Sequence, residues 1–200
     1  LEEWWDEASG SVYESGSFEG SCDLSSSGCT CFEHDLTGDD TLEDLQALCN
    51  AAISSDNWHD AIKNYVDWTP WLRTMSMDMI LSHWDSYGFN VNNYRIYHDL
   101  SEGLWYWTPW STDLAFGWNP WGGAYCGEYG TWPADYSRGY LLGRCWSTTE
   151  CKTELLDAME ELIEEFERMD LVSEVQRVYA LIRDAKYADP RHPWNTDQFE

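Results

Sequence analysis

The chain has 200 residues, a formal net charge of −26 and a hydrophobic content of 43%, enough for one domain with a real core. So acidic a protein is repelled by nucleic-acid phosphates and by anionic membrane surfaces. No apolar run approaches the roughly 18 residues that cross a bilayer, so neither a nucleic-acid binder nor a membrane-spanning protein is expected.

A basic protein segment or divalent cations are the partners that such a charge attracts. The sequence opens at Leu1 with no initiator Met, no basic n-region and no apolar h-region, so upstream residues are expected. Residues 9–15, SGSVYES, read as a short edge strand. The stretch from Ser21 to Asp40 reads as an irregular loop pinned by disulfides. The seven cysteines, Cys22, Cys29, Cys31, Cys49, Cys126, Cys145 and Cys151, are scattered among fourteen Trp and twelve Tyr. That pattern suits disulfides in an oxidising compartment, hence an extracellular or cell-surface location. The odd count leaves one thiol free or paired outside this stretch. Cys29, Cys31 and His34 would also supply three zinc ligands, although no paired CxxC set accompanies them. HDLTGDDT resembles a calcium loop only loosely, because Asp40 and Gln46 stand where the turn Gly and the last ligand belong.

Thr41, with Asp44 three residues on, starts a helix whose apolar stripe is Leu42, Leu45, Leu48 and Cys49. A short helix follows around Trp58 to Val66. Thr69-Pro70 reads as a cap and a first-turn proline, opening a helix that runs to about His83. Its buried side is Trp71, Leu72, Met75, Met79, Ile80 and Trp84, and it delivers Asp85 at its end. Asn93–His98 and Leu104–Thr108 read as two strands around the turn LSEG. The Gly- and Trp-rich stretch from Gly117 to Pro133 reads as a loop close to the active site. Helices over 149–169 and 171–187, joined at Met169-Asp170, read as an antiparallel pair.

Between His83 and Gly117, Asp85 is followed five residues later by Asn90 and eight later by Asn93, and Asp113 comes after the two strands. An acid, an amide oxygen and a second acid joined through a hairpin is the layout of a kinase-type phosphoryl-transfer centre. Asp85 would orient or accept the proton of a substrate hydroxyl; the bland alternative is a helix-terminal Asp bonded to nearby backbone. Asn90 has the five-residue spacing of better-known protein kinases. Asp113 would hold a hard cation against phosphates, or merely fix the PWSTD turn. His83 reads as packing at the helix end. Tyr94, Tyr97, Trp105 and Trp107 read as core and cross-strand pairs before they read as a stacking platform. Arg95 and Arg138 are candidate phosphate contacts. The acidic face of Glu160, Glu161, Glu164 and Glu165 reads as a solvated surface.

The same segment resembles the CotH kinase family, the spore-coat-protein-H-like atypical kinases. That family looks like HWDxYxxNxxNYxxYxD, a hairpin, then PWxxDxxFG. Here Trp84, Asp85, Tyr87, Asn90, Asn93, Tyr94, Tyr97, Asp99, Pro109, Trp110, Asp113, Phe116 and Gly117 match. SGSVYES is similar to the family's GNLYEG strand, and ADPRH is similar to its usual C-terminus. Two departures stand out: Asn92 where many members have His, and Ser111 where many have Asp.

The resemblance implies an α+β fold, the mainly helical C-lobe of an atypical kinase with a small antiparallel hairpin or sheet carrying the site. It makes residues 1–200 a single partial domain whose nucleotide-clasping part lies upstream in the same protein. It implies transfer of phosphate from ATP to Ser or Thr of a secreted or surface protein, with Asn93 and Asp113 on Mg or Mn. Asp85 would be catalytic, and Asn90, Asn93 and Asp113 would face the nucleotide–metal complex. A basic Ser/Thr-containing segment would be the substrate. The competing expectations are a catalytically impaired binding module for polysaccharide or cell-wall material, and a structural coat or matrix component.

Overall fold

The computed structural model describes residues 9–15, 22–25, 29–36, 38–39, 41–54, 57–116 and 137–190. They belong to two units, one ending at Leu162 and one beginning at Ile163. The Gly117–Pro133 loop and Cys126 lie outside the described residues.

The first unit is built on an antiparallel sheet. Its strands are β1 (Val12–Ser15), β2 (Phe32–Leu36), β3 (Tyr94–Asp99) and β4 (Leu104–Pro109), in the order β2-β1-β3-β4. The expected hairpin is present in full register, from Tyr94 opposite Pro109 to Asp99 opposite Leu104. Asp99 closes its turn by accepting from the Ser101 N–H at 2.8 Å and the Ser101 hydroxyl at 2.7 Å. Gly103, at φ +70°, supplies the left-handed position there. Alternation holds along β4 and only at the start of β3: Tyr94, Ile96, His98, Trp105 and Trp107 are buried, Arg95 and Tyr106 are partly open and Thr108 is exposed, but Tyr97 and Asp99, on the same face as Arg95, are buried as well.

Two expectations about the sheet change. SGSVYES is not an edge strand, because β1 pairs with β3 on one side and β2 on the other. The edge is β2, inside the stretch that reads as irregular; its polar FEHDL sequence hides a strand in which Phe32 is core while Glu33, His34 and Asp35 are exposed. Just before β1, a Cβ on Gly10 would lie 1.6 Å from the His98 carbonyl oxygen, so only glycine permits that approach.

Helices cover the buried face. They are α1 (Leu42–Ile53), α2 (Trp58–Ile62), α3 (Trp68–Ile80), α4 (Tyr87–Asn90), α5 (Tyr140–Ser147) and α6 (Thr149–Arg168). Asp44 Oδ2 accepts from the Thr41 N–H at 2.7 Å and the Thr41 hydroxyl at 3.0 Å, so α1 starts where the capping pattern places it. Between α2 and α3, Tyr65 O accepts from the Trp105 N–H at 2.6 Å and Trp105 O accepts from the Asp67 N–H at 3.1 Å. This exchange sets the start of α3 beside β4. Asp67 rather than Thr69 precedes the helix, and Pro70 falls in the first turn, where a missing N–H breaks no internal bond. Trp71, Leu72, Met75 and Met79 are buried as their spacing predicts.

Disulfides Cys22–Cys31 and Cys29–Cys49 bind the segment before β2 to itself and to α1, and Cys145–Cys151 joins α5 to α6. Cys29 and Cys31 are thus consumed in separate bridges, which overturns the zinc reading with His34. Among the described residues, no helix is long and apolar enough to cross a membrane. The three bridges fit a protein of an oxidising, secreted or surface environment.

The second unit holds the last turns of α6 and α7 (Leu171–Ala188). Asp170 caps α7, its carboxylate accepting from the Ser173 N–H at 3.1 Å and the Ser173 hydroxyl at 2.6 Å. None of the residues of α7 is buried. Val172, Val175, Leu181 and Ile182 stay exposed, so the burial expected of an antiparallel pair is not seen.

Candidate active site

The site begins where α3 stops. The helix ends at Ile80, three residues before the sequence predicts, and Ser82 adopts φ +50°. The chain then turns so that Asp85 precedes α4 instead of extending α3. α4 is a single turn that ends when Val91 takes φ +53° and Asn93 takes φ +48°. A β-branched residue in the left-handed region is costly, on the order of 1–3 kcal/mol. The fold retains it here because the sharp reversal folds the NVNN segment back over Asp85.

That reversal produces a clamp. Asn90 donates its side-chain amide to Asp85 Oδ1 at 2.7 Å, and Asn93 donates to Oδ2 at 2.7 Å. Asn92 reaches both oxygens at longer range, 3.2 and 3.3 Å. Asp85 is 9% exposed. Three neutral donors around one carboxylate supply what burial removes from water and fix its orientation. Because Nδ2 of each amide faces Asp85, the Oδ1 branches of Asn90 and Asn93 diverge from it. Asn92 enters the sequence argument only as a departure from the family pattern, yet it touches Asp85. An Asn one residue before another Asn in a left-handed turn was the available signal.

Asp113 stands on a separate turn. It lies in a 3₁₀ turn, Thr112–Leu114, is exposed, and accepts the Ser111 hydroxyl at Oδ1 at 2.5 Å. Among the described residues no hydrogen bond joins Asp113 to Asp85 or to the three amides. Its turn is nevertheless tied to the clamp. The Trp110 N–H donates to Asn93 O at 3.0 Å, and the Phe116 N–H donates to Leu81 O at 2.5 Å. Both ends of the Asp113 segment are therefore fastened to the segment that carries Asp85. Ser111 and Phe116 also have positive φ, 53° and 58°, so backbone strain flanks both acids.

Buried polar groups brace the site from behind. Asp23 Oδ1 accepts from the Tyr87 hydroxyl at 3.0 Å and from the Leu24 N–H at 2.7 Å, while Oδ2 accepts from the Tyr140 N–H at 2.6 Å. The Tyr87 oxygen in turn accepts from the Leu141 N–H at 3.0 Å. Burial pushes the Asp23 carboxyl above its usual range, partly offset by these donors. Burial foremost, and then the Asp23 charge, pushes Tyr87 and Tyr94 well above the ordinary tyrosine value, so both remain neutral donors.

The remaining candidates are spoken for. Arg95 pairs with Asp35 at 2.7 Å and Glu14 at 3.3 Å and lies 4.4 Å over the Trp110 ring. Arg138 lies 4.6 Å over the Phe89 ring. Tyr94, Tyr97, Trp105 and Trp107 are buried in the sheet, as cross-strand packing predicts. Among the described residues no group of three or more His, Cys, Asp or Glu side chains could hold a metal ion. The oxygens of Asp113 and of the Asn amides are nonetheless hard donors, which fit Mg²⁺ or Mn²⁺ when phosphate and water complete the shell.

A search of curated proteins gives no match. Residues 30–200 match the family model described as CotH kinase protein, a stretch that contains the whole Asp85 clamp and the Asp113 turn. A match over that much of the sequence shows the family: the chain belongs to the CotH kinase family, and its activity is kinase-like at the level of that family.

Proposed function

We propose that this protein transfers the terminal phosphate of ATP to Ser or Thr of a secreted or surface protein, with Mg²⁺ or Mn²⁺. The observation that carries the reading is the triple-amide clamp on Asp85. A buried carboxylate held by three neutral donors is fixed in orientation, as needed to aim at a hydroxyl nucleophile. Little proton abstraction is required early, because phosphoryl transfer passes through a loose transition state in which positioning dominates.

Asn90 and Asn93 hold Asp85 in short bonds; Asn92 contributes the longer, weaker ones. The substrate hydroxyl takes the place of Asn92 on the carboxylate and passes its proton there as the new P–O bond forms and the bond from the γ-phosphorus to the β–γ bridging oxygen breaks, releasing ADP. Asn93 and Asp113 would hold the divalent ion, whose chemistry is to neutralise charge on the phosphate oxygens. Arg95 and Arg138 are engaged elsewhere and residues 1–29 carry no Lys or Arg, so the cation that meets the phosphates would come from another part of the protein. The net charge of −26 favours basic segments around the acceptor Ser or Thr.

The test is transfer of labelled phosphate from ATP to a basic Ser/Thr peptide, with the full protein and with Asp85→Asn. Labelling should require Mn²⁺ or Mg²⁺ and fall at least a hundredfold in the variant, at unchanged folding. Equal labelling by both proteins would remove Asp85 from the mechanism.

A second reading is a kinase-like binding module for polysaccharide. It is favoured by Ser111 in place of the family's acid and by exposed aromatic rings at Trp110 and Phe116 beside the Asp113 turn. Titration with cell-wall glycans against titration with Mg-ATP separates the two.

A further inference from the structure

Leu81 and His83, at the end of α3, border a cleft that the Asp85 clamp does not use. Its volume is about 220 Å³. Met77 and Leu81 form one wall, Pro109 and Ala115 a second, and Leu162 of α6 a third, with His83 in the lining. Thr112 and Ala115, which flank Asp113 on its turn, both line it, so the cleft backs directly onto the candidate metal-holding turn.

Two properties define what it accepts. Small-molecule sites span roughly 300–1,000 Å³, and this one is smaller, the size of a single ring-bearing side chain. The lining is largely apolar, but His83 is 1% exposed and its Nε2 has no hydrogen-bond partner among the described residues. Its other nitrogen, Nδ1, faces Asp78 Oδ1 at 3.4 Å. In the tautomer whose Nδ1–H donates to Asp78, Nε2 carries the lone pair. A buried lone pair with no donor is costly. The matching occupant is an apolar ring that carries one N–H or O–H.

We propose that this cleft anchors a tryptophan or tyrosine side chain of the polypeptide substrate, its N–H or O–H donating to His83 Nε2. Basic neighbours of that aromatic residue complement the acidic chain. The anchor presses on Ala115 and Thr112, so engagement of the substrate also steadies the turn on which Asp113 stands. The assignment of the peptide as a substrate rests on the kinase reading; the cleft and its donor preference do not.

The test uses the whole chain without nucleotide or metal. Binding of acetyl-Lys-Trp-Lys-amide and acetyl-Lys-Phe-Lys-amide is compared by saturation-transfer NMR and calorimetry. The Trp peptide should bind about tenfold more tightly, the discrimination expected when a buried acceptor loses its donor. Met77→Trp, which fills the cleft from a partly exposed position, should abolish binding of both. His83→Phe should bind the two peptides equally; where that variant fails to fold, Met77→Trp still decides. Equal affinity of the two peptides for the natural chain, or undiminished binding by Met77→Trp, would overturn the proposal. A second arm adds ATP and Mn²⁺ and gives each peptide a C-terminal Ser. Selective binding of the Trp peptide without transfer to either Ser would keep the cleft and sink the kinase reading, and transfer with no preference between the two peptides would do the reverse.

Discussion

Asn93 donates its side-chain amide to Asp85 Oδ2 at 2.7 Å while its own backbone carbonyl accepts the Trp110 N–H at 3.0 Å. One residue thus connects the carboxylate clamp to the segment that carries Asp113. It does so at φ +48°, a conformation that Asn tolerates better than most residues.

Asn93→Gly keeps the left-handed backbone and deletes only the amide, whereas Asn93→Ala deletes the amide and adds backbone strain. Both leave a buried carboxylate one donor short, at about 1–3 kcal/mol. Asn93→Ala should be the less stable in urea, by roughly a further 1 kcal/mol. Phosphate transfer should fall at least tenfold in both. Full turnover by Asn93→Gly would show that the amide is structural only.

How much of this was legible beforehand depends on the kind of signal. The hairpin, α1 and the buried side of α3 follow from period and capping, because Thr41, Leu45, Tyr94 and Trp105 obey local rules. The exact approach to Asp85 does not. Ser82 and Val91 both turn left-handed against their own preference, and only tertiary packing pays that cost. β2 was hidden because a polar strand beside a disulfide loop has no periodic face. The link from Asp113 to Asn93 runs through backbone bonds of Trp110 and Phe116, which no side-chain pattern announces.

Ser111 offers a direct test of metal holding. Its hydroxyl is bonded to Asp113 Oδ1, so Ser111→Asp places a second carboxylate beside the first. Adding ligand charge tightens hard-cation sites. The Mn²⁺ concentration needed for half-maximal transfer should drop roughly threefold to tenfold. A rise, or no change, would place the ion away from this turn.

The two overlapping bridges, Cys22–Cys31 and Cys29–Cys49, carry much of the order around β2. They close loops with sequence separations of 9 and 20. Chain-entropy arguments give about 3 kcal/mol for loops of this size. Cys29→Ala with Cys49→Ala should therefore lower stability by about 2–4 kcal/mol, with loss of amide-exchange protection concentrated in β2 and α1. Uniform loss of protection across the sheet would argue that the bridge supports the whole fold.

Glu154 and Asp23 should bend the pH dependence of stability in opposite directions. Burial works against ionisation of Glu154, but hydrogen bonds from Lys63 at 2.7 Å, the Trp68 indole at 2.6 Å and His59 at 3.1 Å outweigh it and hold the carboxyl below its usual value. Its folded pKa lies under the unfolded one, so its contribution is present above about pH 5 and is lost as pH falls through the folded value. For Asp23 burial dominates and the folded pKa lies above 3.8. There the folded state binds the proton more strongly than the unfolded state, and stability declines as pH rises from 3.8 through the folded value. Urea midpoints between about pH 3 and about pH 7 should thus show a shallower acid-side loss in Glu154→Gln and a steeper one in Asp23→Asn. Parallel profiles for both variants and the natural chain would mean that neither carboxylate changes its proton affinity on folding.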